Sequence, residues 1–280
     1  MDRYFLLAGD QDGRVTEILG LDTIKRLKGG VYEHTEEAAK TSAKALAEYE
    51  QHKARSQKLV IVRGRKALDL AKPIEKVVDS NRSFTVRAAY DSKNLYVRFD
   101  VTSPHDIVNA IADPKLIFRG GNLLDIQIAT DPSADPNRKK PAPGDVRILI
   151  SRQGEKAVAV VFRPKLKGFD GEPIVLKSPT GTESFDRIEP TDAVGLEYKR
   201  DQRKGTFTAV ATVPMDLLGW TAKPGGTVRM DLGYLFGNEP GTQVATRAYW
   251  SNNSFTANVV NDIPHESRLE PDQWSTASLE

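Results

Sequence analysis

The run Arg247-Ala248-Tyr249-Trp250-Ser251-Asn252-Asn253 sets two aromatic rings beside a guanidinium and two carboxamides. Together such groups have a defined chemistry. A flat π surface accepts the C–H face of a pyranose ring, and planar amides and guanidinium groups take its hydroxyls through paired hydrogen bonds. The run stands where a strand passes into a loop. Strand alternation sends Tyr249 and Trp250 to opposite faces, so at least one ring is expected in a core. Trp220, after the amphipathic turn Met215-Asp216-Leu217-Leu218-Gly219, is a further candidate ring at a domain end, whereas Trp274 is expected to pack in the core or at an edge. Asp125 and Gln127 alternate with Leu124, Ile126 and Ile128, which turns the polar pair away from the core. With Arg98 and Asp100 they would line a polar sheet face or a solvated one laced by cross-strand ion pairs.

Calcium is the metal these side chains suit, because hard oxygen ligands abound and thiolates are absent. Asp131, Asp135 and Asp145 fall in one loop that would fold around an ion, although loop acids also cap turns. Asp10, Asp12 and Gly13 begin like a calcium loop, but Leu19 stands where an EF-hand needs its glutamate. His265-Glu266 begins like a zinc-protease helix, but Leu269 occupies the second histidine's place. No Gly-x-Ser-x-Gly elbow, P-loop or dinucleotide fingerprint occurs; a glycosidase's two carboxylates pair in space and not in sequence, and no spacing nominates such a pair.

These residues need a scaffold, and the pattern around them is that of strands. In residues 84–101, Phe84, Val86, Ala88 and Tyr90 share one parity and Leu95, Val97, Phe99 and Val101 another, around the tight turn Asp91-Ser92-Lys93-Asn94. The opposite faces carry Thr85, Arg87, Tyr96, Arg98 and Asp100. Short strands of this kind, separated by Pro, Gly, Asn and Asp, continue to about residue 250 and predict an antiparallel sandwich or barrel. Segments 131–145 and 163–192 read as long loops, the place where such scaffolds carry function. Before residue 57 the pattern differs: residues 4–19 read as a hairpin turning at Asp12-Gly13, and 35–55 as a helix capped by Thr35.

Composition narrows the partners. Across 280 residues there are 40 basic and 38 acidic side chains, a net charge of +2 that gives no single-sign field for nucleic acid. No apolar run is long enough to span a bilayer. The absence of cysteine excludes disulfides, thiolate metal sites and cysteine nucleophiles and leaves the redox compartment open. Met1 ahead of strand-like residues, no signal-peptide pattern, and a final Leu279-Glu280 that resembles a cloning remnant together suggest an excised segment of a longer protein.

The order of segments resembles family 9 carbohydrate-binding modules and the related DOMON-like sandwiches of large exported bacterial multidomain proteins. The resemblance rests on AAYDSKNLYVRFDV, GGNLLDIQIATDP, FTAVATVPMDLLGWTAKPGGTVRMDLGY, RAYWSNN and EPDQW, in that order. It implies a jelly-roll-like β-sandwich that holds a saccharide without catalysis, often with structural calcium. Some DOMON-like relatives hold a b-type haem through Met and His or Lys, for which Met215 and Met230 are the candidates here, although parity places Met230 on an apolar face. The chain departs from the family's pattern at Asn122, Met215 and Ser275.

The expectation is therefore an all-β chain: a hairpin and helix extension over 1–56, then an antiparallel jelly-roll-like sandwich over 57–280. Its partners would be an oligo- or polysaccharide and other domains of an exported parent protein, with no nucleic acid and no membrane insertion. Tyr249 or Trp250 would stack, and Arg247, Asn252 and Asn253 would bond hydroxyls. The alternatives are a structural or docking sandwich without ligand, and a haem-bearing electron-transfer domain.

Overall fold

The computed structural model describes residues 57–252 and 262–280, together with the strand backbone of 5–9 and 15–20. It divides the chain into two units, Met1–Ser56 and Gln57–Glu280. In the first, β1 (Phe5–Gly9) and β2 (Val15–Gly20) form the expected antiparallel hairpin. The helix expected over 35–55 lies outside the described residues.

In the second unit, β5 (Arg82–Tyr90) and β6 (Asn94–Thr102) form the hairpin that the alternation foretold. Its turn is closed by the Asp91 carboxylate, which accepts from the N–H groups of Lys93 at 2.7 Å and Asn94 at 2.8 Å. Phe84, Val86, Phe99 and Val101 point inward and meet Leu124, Ile126 and Ile128 of β7 (Leu123–Ala129) and Met230 and Leu232 of β15 (Thr227–Gly237). Burying each such side chain contributes roughly 1.5–3 kcal/mol against chain entropy.

The two layers are halves of one curled sheet. One half runs through β12 (Arg187–Thr191), β9 (Lys156–Arg163), β8 (Asp145–Gln153), β7 and β15. The other runs through β3 (Val60–Arg63), β5, β6, β14 (Thr206–Pro214) and β13 (Gly195–Asp201). β17 (Ser275–Leu279) joins them, β16 (Val244–Tyr249) pairs with β15, and β4 (Ile74–Asp79) pairs with β5. The all-β sandwich is as expected. Pairing is antiparallel except at β17–β3 and β3–β5, which are parallel.

One sequence reading is corrected. Segment 163–192 is not one long loop, for it holds the hairpin β10 (Ile174–Ser178) and β11 (Gly181–Phe185) as well as β12. Its strands bury only Leu176, Phe185 and Ile188, too sparse an apolar pattern to register as alternation. At the other end of the unit, Leu279 pairs with Ile61, is 4% exposed and belongs to the core between the halves.

The β10–β11 hairpin, a 3₁₀ turn at Pro114–Arg119 and α2 (Ile263–Ser267) add a further layer over the outer face of β7, β8 and β9. Both short helices start as sequence rules require. Asp113 accepts from Lys115 N–H and Asp262 from His265 N–H, each followed within two positions by proline. Phe162 of β9 anchors the layer, with Phe118 at 6.1 Å and Phe185 at 5.6 Å in edge-on contact. α1 (Met215–Leu218) closes one end through Met215, Leu218 and Trp220.

Candidate functional site

The first candidate surface is the one the sequence points to, and the structure seals it. Arg247, Tyr249, Trp250 and Asn252 are at most 3% exposed, Trp274 is 3% and Trp220 9%. No indole among the described residues is left open for stacking, which corrects the expectation that Tyr249 or Trp250 receives a ring. Trp250 packs between the halves and donates its Nε1–H to the Gln57 carbonyl at 3.0 Å. Asn253 lies outside the described residues.

What these side chains do instead is hold the added layer. Asp125 and Gln127 do point away from the main core, but into a covered polar layer and not into solvent. Asp125 receives Nη2 of Arg147 at 2.7 Å and the Tyr249 hydroxyl at 2.6 Å. Gln127 accepts from Trp274 Nε1 at 3.0 Å. Arg147 also donates to the carbonyls of Glu266 and Ser267, both at 3.1 Å, tying α2 to the sheet. Arg247 donates to the Phe118 carbonyl at 3.0 Å and faces the Glu266 carboxylate at 3.3 Å. Gly233 makes the crossing possible. It lies between Asp125 on β7 and Tyr249 on β16, and a Cβ there would stand 2.3 Å from the Tyr249 ring.

Burial sets the protonation of this layer. It raises the Tyr249 phenol well above its ordinary value, reinforced by the adjacent Asp125 charge. Burial disfavours the Arg147 charge, but Asp125 outweighs it and holds the guanidinium more firmly protonated. Burial raises Glu266 against the pull of Arg247 and Arg119. Asp231, fully covered, is pushed up to about 7 by burial although its carboxylate accepts from the N–H groups of Leu232, Ser251 and Asn252. That carboxyl shapes the chain just after β16.

The three acids offered for calcium are each engaged locally. Among the described residues no group of His, Asp and Glu is placed to hold a metal ion. Asp131 and Asp135 accept from the N–H groups of Ser133 and Asn137 at 2.9 Å, closing local turns. Asp145 is paired with Arg138, so a guanidinium stands where a cation was expected. Both methionines named for haem, Met215 and Met230, are buried in the apolar core.

The second surface is open. On the outer face of the other half, two cross-strand rows run from β4 to β13 through β5, β6 and β14. One is Glu75, Thr85, Asp100, Thr208, Lys199, and the other is Val77, Ser83, Thr102, Thr206, Asp201. All of these residues but Val77 line a hollow of about 570 Å³. With strands about 4.8 Å apart, the rows extend roughly 19 Å, long enough for several linked sugar rings. Asp100 lies at the centre, held by Arg87 Nη1 at 2.7 Å, Arg98 Nη2 at 2.8 Å and Thr208 Oγ1 at 2.7 Å. Burial works against its charge, yet Arg98, Thr208 and Arg87 more than offset this and hold the carboxyl below its usual range. Arg98 and Asp100 were legible as an outward pair, but they occupy the opposite outer face from Asp125 and Gln127. Thr206 and Thr208 alternate with Phe207 and Ala209, which marks them as outward, but only the β6–β14 pairing brings them to Asp100.

The fold and its faces thus define a β-sandwich with one outer face covered and the other open and polar. No protein-family model matches the chain, and no curated protein matches it. Among solved structures it is similar to a family 9 carbohydrate-binding module from Caldicellulosiruptor kristjanssonii. In that module's cellotriose complex the identity is 11% and the TM-score 0.42, over 80% of this chain and 94% of that one. For its glucose complex the values are 10% and 0.44, over 80% and 96%.

Proposed function

We propose that residues 57–280 form a non-catalytic carbohydrate-binding module of an exported parent protein, and that the saccharide lies in the hollow over β5, β6, β14 and β13. The observation that carries this reading is the contrast between the outer faces. One is filled by its own hairpin, turn and helix, while the other presents hydroxyls and a pre-oriented carboxylate around an open trough. A ligand rich in hydroxyls suits that face, because each can exchange water for a group already held in place. Asp100 is an acceptor whose position is fixed by its three partners, and its ionised state suits holding a hydroxyl more than moving a proton. The resemblance carried by the sequence motifs implies the same ligand class.

The test is binding of the full chain to a panel of neutral oligosaccharides that includes glucose and cellotriose, with product release followed in parallel. Saturable binding without product, lost in Thr85→Trp, which fills the hollow, is the expected outcome. Binding that survives Thr85→Trp would place the ligand elsewhere, and released product would make the module an enzyme. The second reading, a docking sandwich without saccharide, draws on the internal use of every described residue of the Arg247–Asn252 run; a panel without a single binder would favour it.

A further inference from the structure

Large exposed apolar side chains in the described residues are Leu70, Val77 and Val175. Two of them stand next to residues that line the hollow without lining it themselves. Val77 pairs with Ser83, which lines it, and lies on the same face as Glu75. Leu70 sits on the 3₁₀ turn Arg65–Leu70, which is fastened beside the hollow on both sides of that residue. Asp69 pairs with Arg98 at 2.7 Å, and the Ala71 carbonyl accepts from Arg87 Nε at 3.1 Å. Leu68, fully buried against Tyr96 and Val210, roots the turn. Leu70 between these fastenings is 89% exposed and Val77 is 59% exposed. Neither serves the core.

A polar floor alone binds sugar weakly in water, because each hydrogen bond made replaces one to solvent. The gain comes when the apolar C–H face of the ring is covered as well. On the sealed face the rings are committed to packing, and among the described residues the aromatic side chains at the hollow, Phe84 and Phe207, are buried in the core and offer no platform. We infer that Leu70 and Val77 are the apolar lips of the hollow, taking the C–H faces of a neutral saccharide whose hydroxyls meet the threonine rows. This rests on the carbohydrate-binding reading above and adds the residues that supply its apolar contact. The occupant is neutral because Asp100 is matched by Arg87 and Arg98, and Arg98 again by Asp69, while the other charged residues lining the hollow balance, Glu75 and Asp201 against Lys199 and Arg200.

The experiment titrates the same panel by calorimetry into the full chain and into Leu70→Ser, Val77→Thr and the double variant, with melting curves alongside. Exposure of both residues means that melting should not change, so any loss is a loss of contact. Each single variant is expected to weaken binding about fivefold and the double variant about twentyfold, the scale of partly covering one aliphatic side chain each. Leu70→Trp is expected to strengthen it. If the double variant binds within twofold of the original while Thr85→Trp abolishes binding, the lips are refuted and the hollow stands. If the unaltered chain binds no member of the panel, the lips and the carbohydrate reading fall together.

Discussion

Arg147→Met removes one side chain that joins three parts of the covered layer. Its guanidinium holds Asp125 through Nη2 at 2.7 Å and Nε at 3.1 Å, and through Nη1 the carbonyls of Glu266 and Ser267. Arg147 is 1% exposed and Asp125 0%. Methionine fills much of the same volume, so the loss is electrostatic more than steric. Removing one partner of a buried pair costs about 3–5 kcal/mol, chiefly the penalty of the charge left behind. For a unit of this size that corresponds to a fall in Tm of about 6–20 °C. Urea unfolding at pH 7 measures the loss, with Arg147→Met/Asp125→Leu as the control that removes both charges and recovers much of it. A deficit under about 1 kcal/mol, or a control no more stable than Arg147→Met, would refute this account of the layer.

Asp231→Asn should be less stable than the original chain by about 1–3 kcal/mol at pH 4, because one carboxyl oxygen gives way to an amide donor facing the Asn252 N–H. That gap should narrow toward pH 7, since only the original carboxyl, pushed up to about 7, loses stability as pH rises through its titration; denaturant curves at both pH values check it. Gly233→Ala should displace the Tyr249 ring, costing about 1–3 kcal/mol and breaking the phenol's bond to Asp125, visible as a change in tyrosine ultraviolet resonance Raman bands. Trp250→Ala should lower stability by about 3–5 kcal/mol as a core truncation, while glycan affinity measured well below the variant's Tm stays unchanged.

Much of the scaffold could be read from the chain because period-two alternation is a local signal. Phe84 through Val101 showed which side of the β5–β6 hairpin faces the core, and the structure places those side chains there. The site was less legible, since a polar residue turned away from one core looks the same whether water or another layer lies beyond it. Asp125 and Arg247 are covered by segments distant in sequence, among them Phe118 and Glu266. The segment carrying β10 and β11 gave no warning, having few apolar positions. For the open hollow the residue types were visible strand by strand, but the rows form only when β6 lies beside β14 and β4 beside β5. Such register is a long-range property that alternation does not fix.

Amide chemical-shift mapping of the labelled chain, titrated with the neutral oligosaccharide panel, tests the location of binding most directly. Changes should gather on Thr85, Thr102, Thr206 and Thr208 and on the turn around Leu70, leaving Tyr249 and Trp250 unmoved. Changes centred on the chain that follows β16, or an unperturbed spectrum throughout the panel, would contradict a saccharide site on the open face.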